Sequence, residues 1–168
     1  MSINSIAVVI PAYKVKNHIL EVINQIPPLV KYIYVIDDVC PENSGDYVAQ
    51  KNNDKRVKIT KLDKNVGVGG AVMKGYQLAL KDNIDIVVKV DGDGQMDPEL
   101  IPNFINPIIN GSADYTKGNR FFDLEMVKKM PRIRIFGNAI LSFLNKLSSG
   151  YWNLFDPTNG YTAINTKI

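Results

Sequence analysis

Asp91-Gly92-Asp93-Gly94-Gln95 sets two carboxylates one residue apart, with glycines bending the backbone around them. Carboxylates so spaced can face one hard cation. Oxygen donors of this kind suit Mg²⁺ or Mn²⁺, ions that keep coordination positions open for substrate phosphates. A solvated acidic turn is the plain alternative. An EF-hand calcium loop matches poorly, because the twelfth position counted from Asp91 is Pro102 rather than an acid. Upstream, Asn65-Val66-Gly67-Val68-Gly69-Gly70-Ala71 is a glycine-rich turn leading into a helical pattern. Glycines let backbone approach a ligand closely, and helix N-termini favour anions. The turn is not a dinucleotide fingerprint: Val72 stands where a third glycine is needed, and the turn follows the third strand-like run. Nor is it a P-loop, since no Gly-Lys-Ser/Thr follows. Taken alone, it also reads as a tight strand-to-helix connection. Asp37-Asp38 ends an apolar run and could accept hydrogen bonds from a base or ribose, or form a simple polar loop. His18 is the only histidine, so Ser-His-Asp and histidine-metal chemistry are not expected.

These residues need elements to hold them. Strand-like runs occupy Ile6 to Ile10, Tyr32 to Ile36, Val57 to Leu62 and Ile84 to Val90. Helical patterns lie between them at Asn17 to Ile26, at Ser44 to Lys51 with Ser44 as cap, and at Gly69 to Lys81. In the last, Ala71, Val72, Tyr76, Leu78, Ala79 and Leu80 supply the expected buried face. Asp97-Pro98 starts a further helix, with Asp as N-cap and Pro at the first position. Strands alternating with helices predict an α/β fold with a mainly parallel central sheet. In such sheets ligands sit beyond the carboxyl ends of the strands. Pro11-Ala12-Tyr13, Asp37-Asp38, Asn65 to Gly70 and Asp91-Gly92-Asp93 all fall there, which points to one shared site.

A chain of 168 residues fits one domain, and 45% hydrophobic with 22% charged residues excludes a mostly disordered chain. The net charge of +3 is mild and its basic residues are scattered, so no nucleic-acid partner is expected. Cys40 is the only cysteine, which excludes an internal disulfide or a thiolate zinc site and suits a reducing cytoplasmic setting. The run Ile6 to Ile10 lacks a cationic lead, so no secretory signal is expected. No stretch approaches the ~20 apolar residues that span a bilayer. Tyr161 to Asn165 reads as a strand at which the chain stops, so residues 1–168 are expected to be a single domain cut short at its C-terminus.

Lys128 to Leu147 joins Lys128, Lys129, Arg132, Arg134 and Lys146 to the apolar set Ile133, Ile135, Phe136, Ile140, Leu141, Phe143, Leu144 and Leu147. A basic amphipathic helix of this composition suits an anionic membrane surface. A helix packed into a core with a solvated basic face is the alternative.

In order, VVIPAY at 8–13, IDD at 36–38, NVGVGGAVMKGY at 65–76 and VDGDGQMDP at 90–98 resemble the inverting family-2 glycosyltransferases. The fold that family implies is GT-A, the Rossmann-like three-layer sandwich of nucleotide-diphospho-sugar transferases. With Gly118-Asn119-Arg120 and Asp156-Pro157-Thr158-Asn159-Gly160-Tyr161, the likeness is greatest to the branch of dolichyl-phosphate mannose synthase and other polyprenyl-phosphate glycosyltransferases. The resemblance implies a UDP- or GDP-sugar donor, a polyprenyl (dolichyl or undecaprenyl) phosphate acceptor and transfer with inversion. Pro11, Ala12, Tyr13 and Asp38 would line the base and ribose pocket, while Asn65, Gly67, Gly70 and Lys74 would shape the donor site. Asp91, Asp93 and Gln95 would hold Mg²⁺ or Mn²⁺ against the diphosphate. Arg120 would meet the acceptor phosphate. Asp93 and Asp156 would be the catalytic acids, Asp156 on the acceptor side. Lys14-Val15 departs from the Asn-Glu that often follows the tyrosine.

The implied setting is the cytoplasmic face of a membrane, with peripheral contact. Alternatives are a hydroxyl acceptor on a surface polysaccharide and a non-catalytic nucleotide-sugar-binding fragment. A nucleotidyltransferase would carry its glycine-rich loop directly after the first strand, where this chain has Pro11-Ala12-Tyr13.

Overall fold

The computed structural model describes residues 5–119, 132–150, 152, 156 and 159–167. The chain divides into two compact units, residues 1–116 with 161–168, and residues 117–160. The first runs β1 (Ile6–Ala12), α1 (Ile19–Gln25), β2 (Tyr32–Asp37), α2 (Ser44–Lys51), β3 (Val57–Lys61), α3 (Gly67–Lys81) and β4 (Ile86–Lys89). A 3₁₀ turn (Pro98–Leu100), α4 (Ile101–Ile109), β5 (Tyr115–Lys117) and β6 (Thr162–Asn165) follow. The second unit contains α5 (Arg132–Ser149).

The strands lie in the order β3-β2-β1-β4-β6-β5. β3, β2, β1 and β4 are mutually parallel, and β6 runs antiparallel to β4. β-Branched runs such as Ile6-Ala7-Val8-Val9-Ile10 make these strands apolar on both faces, as a sheet covered on both sides requires. Alternation then sorts the side chains. Val8, Ile10, Ile33, Val35, Ile86 and Val88 pack with Ile19, Ile23, Val48, Ile101 and Ile105 of α1, α2 and α4. Ala7, Val9, Tyr34, Ile36 and Val87 pack with Ala71 and Ala79 of α3. The result is the expected three-layer α/β/α sandwich.

Local chemistry sets several boundaries. β1 runs two residues beyond the apolar run, through Pro11 to Ala12. Val9 faces β4, its carbonyl accepting from Val90, so Pro11 turns its missing N–H to that same side. The β1–β4 ladder stops at Val9↔Lys89, and no sheet bond is lost there. α1 ends at Gln25 because Ile26 precedes Pro27 and takes an extended conformation. The expected cap at Asp97 is present, its carboxylate accepting the N–H of Glu99 at 2.9 Å.

Two expectations change. Ser44 is not the cap of α2: Asn43 holds that place with φ 52, and the buried Ser44 hydroxyl lies 3.1 Å from Cys40 Sγ. α3 starts at Gly67, so the glycine turn is itself the first helical turn. Its buried row is Ala71, Gly75 and Ala79, whereas Leu80 is 56% exposed. This spacing repeats every four residues, one helix face. Small residues there bring helix and sheet together. A Cβ at Gly75 would lie 2.3 Å from Val9 Cγ1.

Candidate active site

α1 and α2 cover one face of the sheet and α3 the other, so the chain changes face on its way from β3 to β4. That places a topological switch point between β1 and β4, where parallel sheets open a crevice. A cavity of about 460 Å³ lies there. Pro11, Ala12 and Tyr13 enter it from β1, Asp38 from β2, and Asp91 and Asp93 from the segment after β4. Asn65, Gly67 and Val68 enter from the start of α3, and Lys14 lines it beside Tyr13.

The adjacent acids at the end of β2 have different tasks because alternate residues face opposite sides of a strand. Asp37 points towards α2 and is fully buried. Its Oδ1 accepts from Cys40 N–H and its Oδ2 from Gly45 N–H, both at 2.7 Å. It serves α2 as an N-terminal anchor. Asp38 turns the other way: Oδ1 accepts Val66 N–H at 2.8 Å, and its carbonyl accepts from Asn65 Nδ2 at 2.8 Å. Asp38 is 3% exposed, and its Oδ2 meets no donor among the described residues. An acceptor that opens onto a cavity in this way suits a ligand hydroxyl or N–H.

The first loop is held from beneath. Lys14 sits in the left-handed region with φ 57, and its N–H donates to Cys40 Sγ at 3.1 Å. Val39, a β-branched residue, also has a positive φ of 54. Such conformations cost about 1–3 kcal/mol each and persist where the surroundings over-determine them. Burial pushes the Cys40 thiol up, but donors from the Ser44 hydroxyl and from the Lys14, Ser44 and Glu42 backbones outweigh it and leave the thiol below its ordinary value.

Asp91 and Asp93 both reach the cavity. Lys89, nearly buried at the end of β4, pairs with Asp91 Oδ1. Asp93 Oδ1 accepts the N–H of Gln95 at 3.0 Å. Farther along the loop, Tyr161 stacks on Phe104 at a centroid distance of 4.0 Å and donates to the Asp97 carbonyl at 2.9 Å. Burial, reinforced by the Asp97 charge, pushes that phenol up.

Among the described residues no cluster of three or more His, Cys, Asp or Glu side chains could hold a metal by itself. Two carboxylates at a cavity wall are nevertheless a fitting partial set for Mg²⁺ or Mn²⁺, which take remaining oxygens from water and phosphate.

Pro11, Ala12, Tyr13, Asp38, Asn65, Gly67, Asp91 and Asp93 therefore share one cavity. Gly70, Lys74 and Gln95 are outside its lining. The missing Cβ of Gly70 instead makes room for the Val66 side chain, which a Cβ would meet at 2.5 Å. Gln95 is exposed and takes part through its backbone. His18 is exposed. Arg120, Pro157 and Thr158 lie outside the described residues, as do Lys128 and Lys129. Asp156, in the second unit, is buried with φ 55, and its carbonyl accepts the Asn159 N–H at 3.1 Å. Sequence reasoning gave no site role to Lys14, Lys89 or Cys40. A signal was there for Lys89, a lone cation inside the otherwise apolar end of IDIVVKV.

The fold and the acidic cavity together define a GT-A type of α/β domain. The chain belongs to glycosyl transferase family 2, whose sequence pattern matches residues 7–168. Among curated relatives, the UDP-N-acetylglucosamine–dolichyl-phosphate N-acetylglucosaminyltransferase of Methanococcus voltae is 32% identical, over 94% of this chain and 68% of that protein. The dolichol-phosphate mannosyltransferase of Pyrococcus furiosus is 28% identical, over 97% of this chain and 47% of that protein. The chain thus spans from 47% to 68% of the length of these two relatives. Among solved structures, glucosyl-3-phosphoglycerate synthase from Mycobacterium tuberculosis, in complex with Mn²⁺, UDP and glucosyl-3-phosphoglycerate, superposes with a TM-score of 0.71. It is 19% identical, over 96% of this chain and 57% of that one, a likeness of fold.

Proposed function

We propose that this chain is the donor-binding catalytic domain of an enzyme that moves a sugar from a UDP- or GDP-sugar to a polyprenyl phosphate, with inversion and with Mg²⁺ or Mn²⁺. The observation that carries the reading is the single cavity shared by Asp38, Asp91, Asp93 and the Gly67 turn at the switch point of the sheet. The curated relatives named above, dolichyl- and dolichol-phosphate glycosyltransferases, support the acceptor class.

In this reading the base and ribose lie against Pro11, Ala12 and Tyr13, with the unpaired oxygen of Asp38 accepting from a hydroxyl or a ring N–H. The diphosphate lies towards Asp91 and Asp93. These two carboxylates would hold the divalent cation, which neutralises charge developing on the nucleoside diphosphate as it leaves the anomeric carbon. Lys14 adds a positive charge to the cavity wall. The glycine turn admits the donor closely, because Gly67, at φ 76, carries no side chain into the space. Arg120 is assigned to the acceptor phosphate. A phosphate monoester is already anionic and needs no strong base, so Asp156 would orient acceptor groups. With a hydroxyl acceptor Asp156 would take the proton.

Membrane contact is assigned to α5. Its Ile140, Leu141, Phe143, Leu144 and Leu147 are each exposed by 46% or more, and the helix contains no acidic residue. A patch of this kind marks an interaction surface. No described helix is long and apolar enough to cross a membrane. Peripheral contact on the cytoplasmic face follows from the same reading.

The test is a transfer assay with UDP-GlcNAc, UDP-glucose and GDP-mannose, each offered undecaprenyl or dolichyl phosphate, with Mn²⁺ or with EDTA. The reading expects a metal-dependent glycosyl-phospholipid from one donor. Transfer confined to polysaccharide hydroxyls would move the acceptor assignment. Nucleotide binding without any transfer would make the chain a binding fragment.

A further inference from the structure

β4 is buried along its whole length, and Lys89 is the one charged residue in it. Its register partners are Val9 of β1 and Thr162 of β6, and by alternation it shares the α3 face of the sheet with Val87. A lysine in such a position requires a partner. The partner is Asp91, whose Oδ1 receives the ammonium while its carboxylate forms part of the cavity wall. The Lys89 side chain is 10% exposed and that of Asp91 29% exposed, so the cation sits behind the acid, on the side away from solvent.

This arrangement changes what the acidic pair presents to the cavity. Asp91 and Asp93 carry two negative charges and Lys89 returns one, so the local sum is a single negative charge. Asp91 Oδ1 is committed to Lys89, and Asp93 Oδ1 to the Gln95 N–H. Only one oxygen of each acid is wholly free for a divalent cation, and the three side chains together supply half the charge needed to balance it. A nucleoside diphosphate supplies both missing quantities, oxygen ligands and negative charge.

We propose that Lys89 is a positioning residue that keeps the Asp91–Asp93 pair from retaining a divalent cation alone, so that cation and nucleoside diphosphate are held only together. The inference rests on the donor-site reading above and deepens it. Lys89 acts through Asp91, by charge and by occupying an oxygen. A free site therefore does not fill with metal at ambient concentration, and release of the nucleoside diphosphate after transfer releases the cation as well.

The experiment is Mn²⁺ binding to the 168-residue chain followed by electron paramagnetic resonance, without nucleotide and then with UDP or GDP. The wild-type chain is expected to bind Mn²⁺ weakly alone and tightly with one nucleotide. Lys89→Met removes the charge but keeps the length of the side chain. Removing one member of a buried ion pair leaves the other charge uncompensated, a cost limited here because the Asp91 side chain keeps 29% exposure at the cavity wall. This variant is expected to bind Mn²⁺ alone at least about tenfold more tightly, since a repelling charge next to the ligand set is gone. Lys89→Arg, which keeps the charge, is expected to restore the weak wild-type binding. Lys89→Gln serves as a second neutral variant with the same expectation as Met. A merely structural lysine would give weaker or unchanged Mn²⁺ binding on removal. Equal or weaker binding in both neutral variants, with nucleotide-dependent Mn²⁺ binding intact in the wild type, overturns the inference alone. Absence of nucleotide-dependent Mn²⁺ binding in the folded wild type overturns the donor-site reading and this inference with it.

Discussion

Asp38 Oδ1 accepts the backbone N–H of Val66 at 2.8 Å, joining the end of β2 to the start of α3 across 28 residues of sequence. Asn65 closes the contact from the other side by donating to the Asp38 carbonyl. One residue therefore fixes the glycine turn and also presents an oxygen to the cavity.

Separating those two tasks is the first prediction. Asp38→Ala removes the acceptor for Val66 N–H and is expected to lower stability by about 1–2 kcal/mol, the range for a lost helix-terminal acceptor. Asp38→Asn keeps an oxygen for Val66 and is expected to lose less than half of that. Both variants should bind UDP and GDP at least about tenfold more weakly, the equivalent of about 1.4 kcal/mol. Urea melts and titration calorimetry read the two effects independently. Wild-type affinity in Asp38→Asn would remove the carboxylate from the ligand site.

Metal dependence is read most directly as thermal stability. A nucleoside diphosphate that binds the native chain with Mn²⁺ at about a hundred times its Kd should add about 2.7 kcal/mol. EDTA should abolish the gain. Asp93→Asn should do the same while leaving the melting temperature of the free protein nearly unchanged, because Asp93 is partly exposed and its one hydrogen bond is local. A gain that survives both treatments would mean that the acidic pair holds no cation.

Two glycines of α3 should respond to alanine in opposite directions. At Gly75 the new methyl group would meet Val9 Cγ1 at 2.3 Å, so helix and sheet must part. A cost of about 1–3 kcal/mol is expected from overpacking. At Gly69 no atom lies within 4 Å of an added Cβ, and the residue is helical. Alanine there should stabilise by about 0.4–1 kcal/mol through the unfolded chain. Denaturant midpoints of the two variants test the sign.

Acid should weaken the fold through two identifiable groups. Hydrogen bonds from the Arg56 guanidinium hold Asp54 below the usual carboxylate range against the opposing effect of burial. Hydrogen bonds from Lys58 and Tyr34 do the same for Asp82. A carboxyl that is more acidic folded than unfolded contributes stability above its unfolded value and loses it as pH falls through the folded one. The loss should therefore begin near pH ~4 and continue below it. Arg56 also donates to the carbonyls of Ile26 and Pro27, so the same side chain ties down the chain between α1 and β2. Asp54→Asn should lower the urea midpoint at pH 7 and narrow its fall between pH 5 and pH 2.5; an unchanged fall would take Asp54 out of the acid response.

Much of the fold was legible because its signals are local. Ile6 to Ile10 and Tyr32 to Ile36 are β-branched runs too short for buried helices, and Asp97-Pro98 is a start signal complete within two residues. Strand–helix alternation implied a parallel sheet, and the parallel sheet implied that Pro11, Asp38, Asn65 and Asp91 would meet at its carboxyl edge. The GT-A class was implied by the resemblance of those ordered motifs to family-2 glycosyltransferases. Assignments that needed a partner distant in sequence came out differently. Ser44 resembled a cap but is buried against Cys40. Leu80 resembled a core residue, but the row Ala71, Gly75 and Ala79 is the one that meets Val9.

The sequence by itself determined the order of elements from β1 to the helix start at Asp97, the parallel α/β class and which strand ends carry the acids, since each depends on periodicity and on residue types within a few positions. The tertiary structure alone decided what each acid does. Asp37 and Asp38 are neighbours in the chain, yet they serve α2 and α3 on opposite faces of the sheet. Asp91 is paired with a lysine whose burial depends on β1, β6 and α3 closing around it. Hydrogen bonds and ion pairs act over about 3 Å, and only the folded chain brings residues separated by tens of positions within that distance.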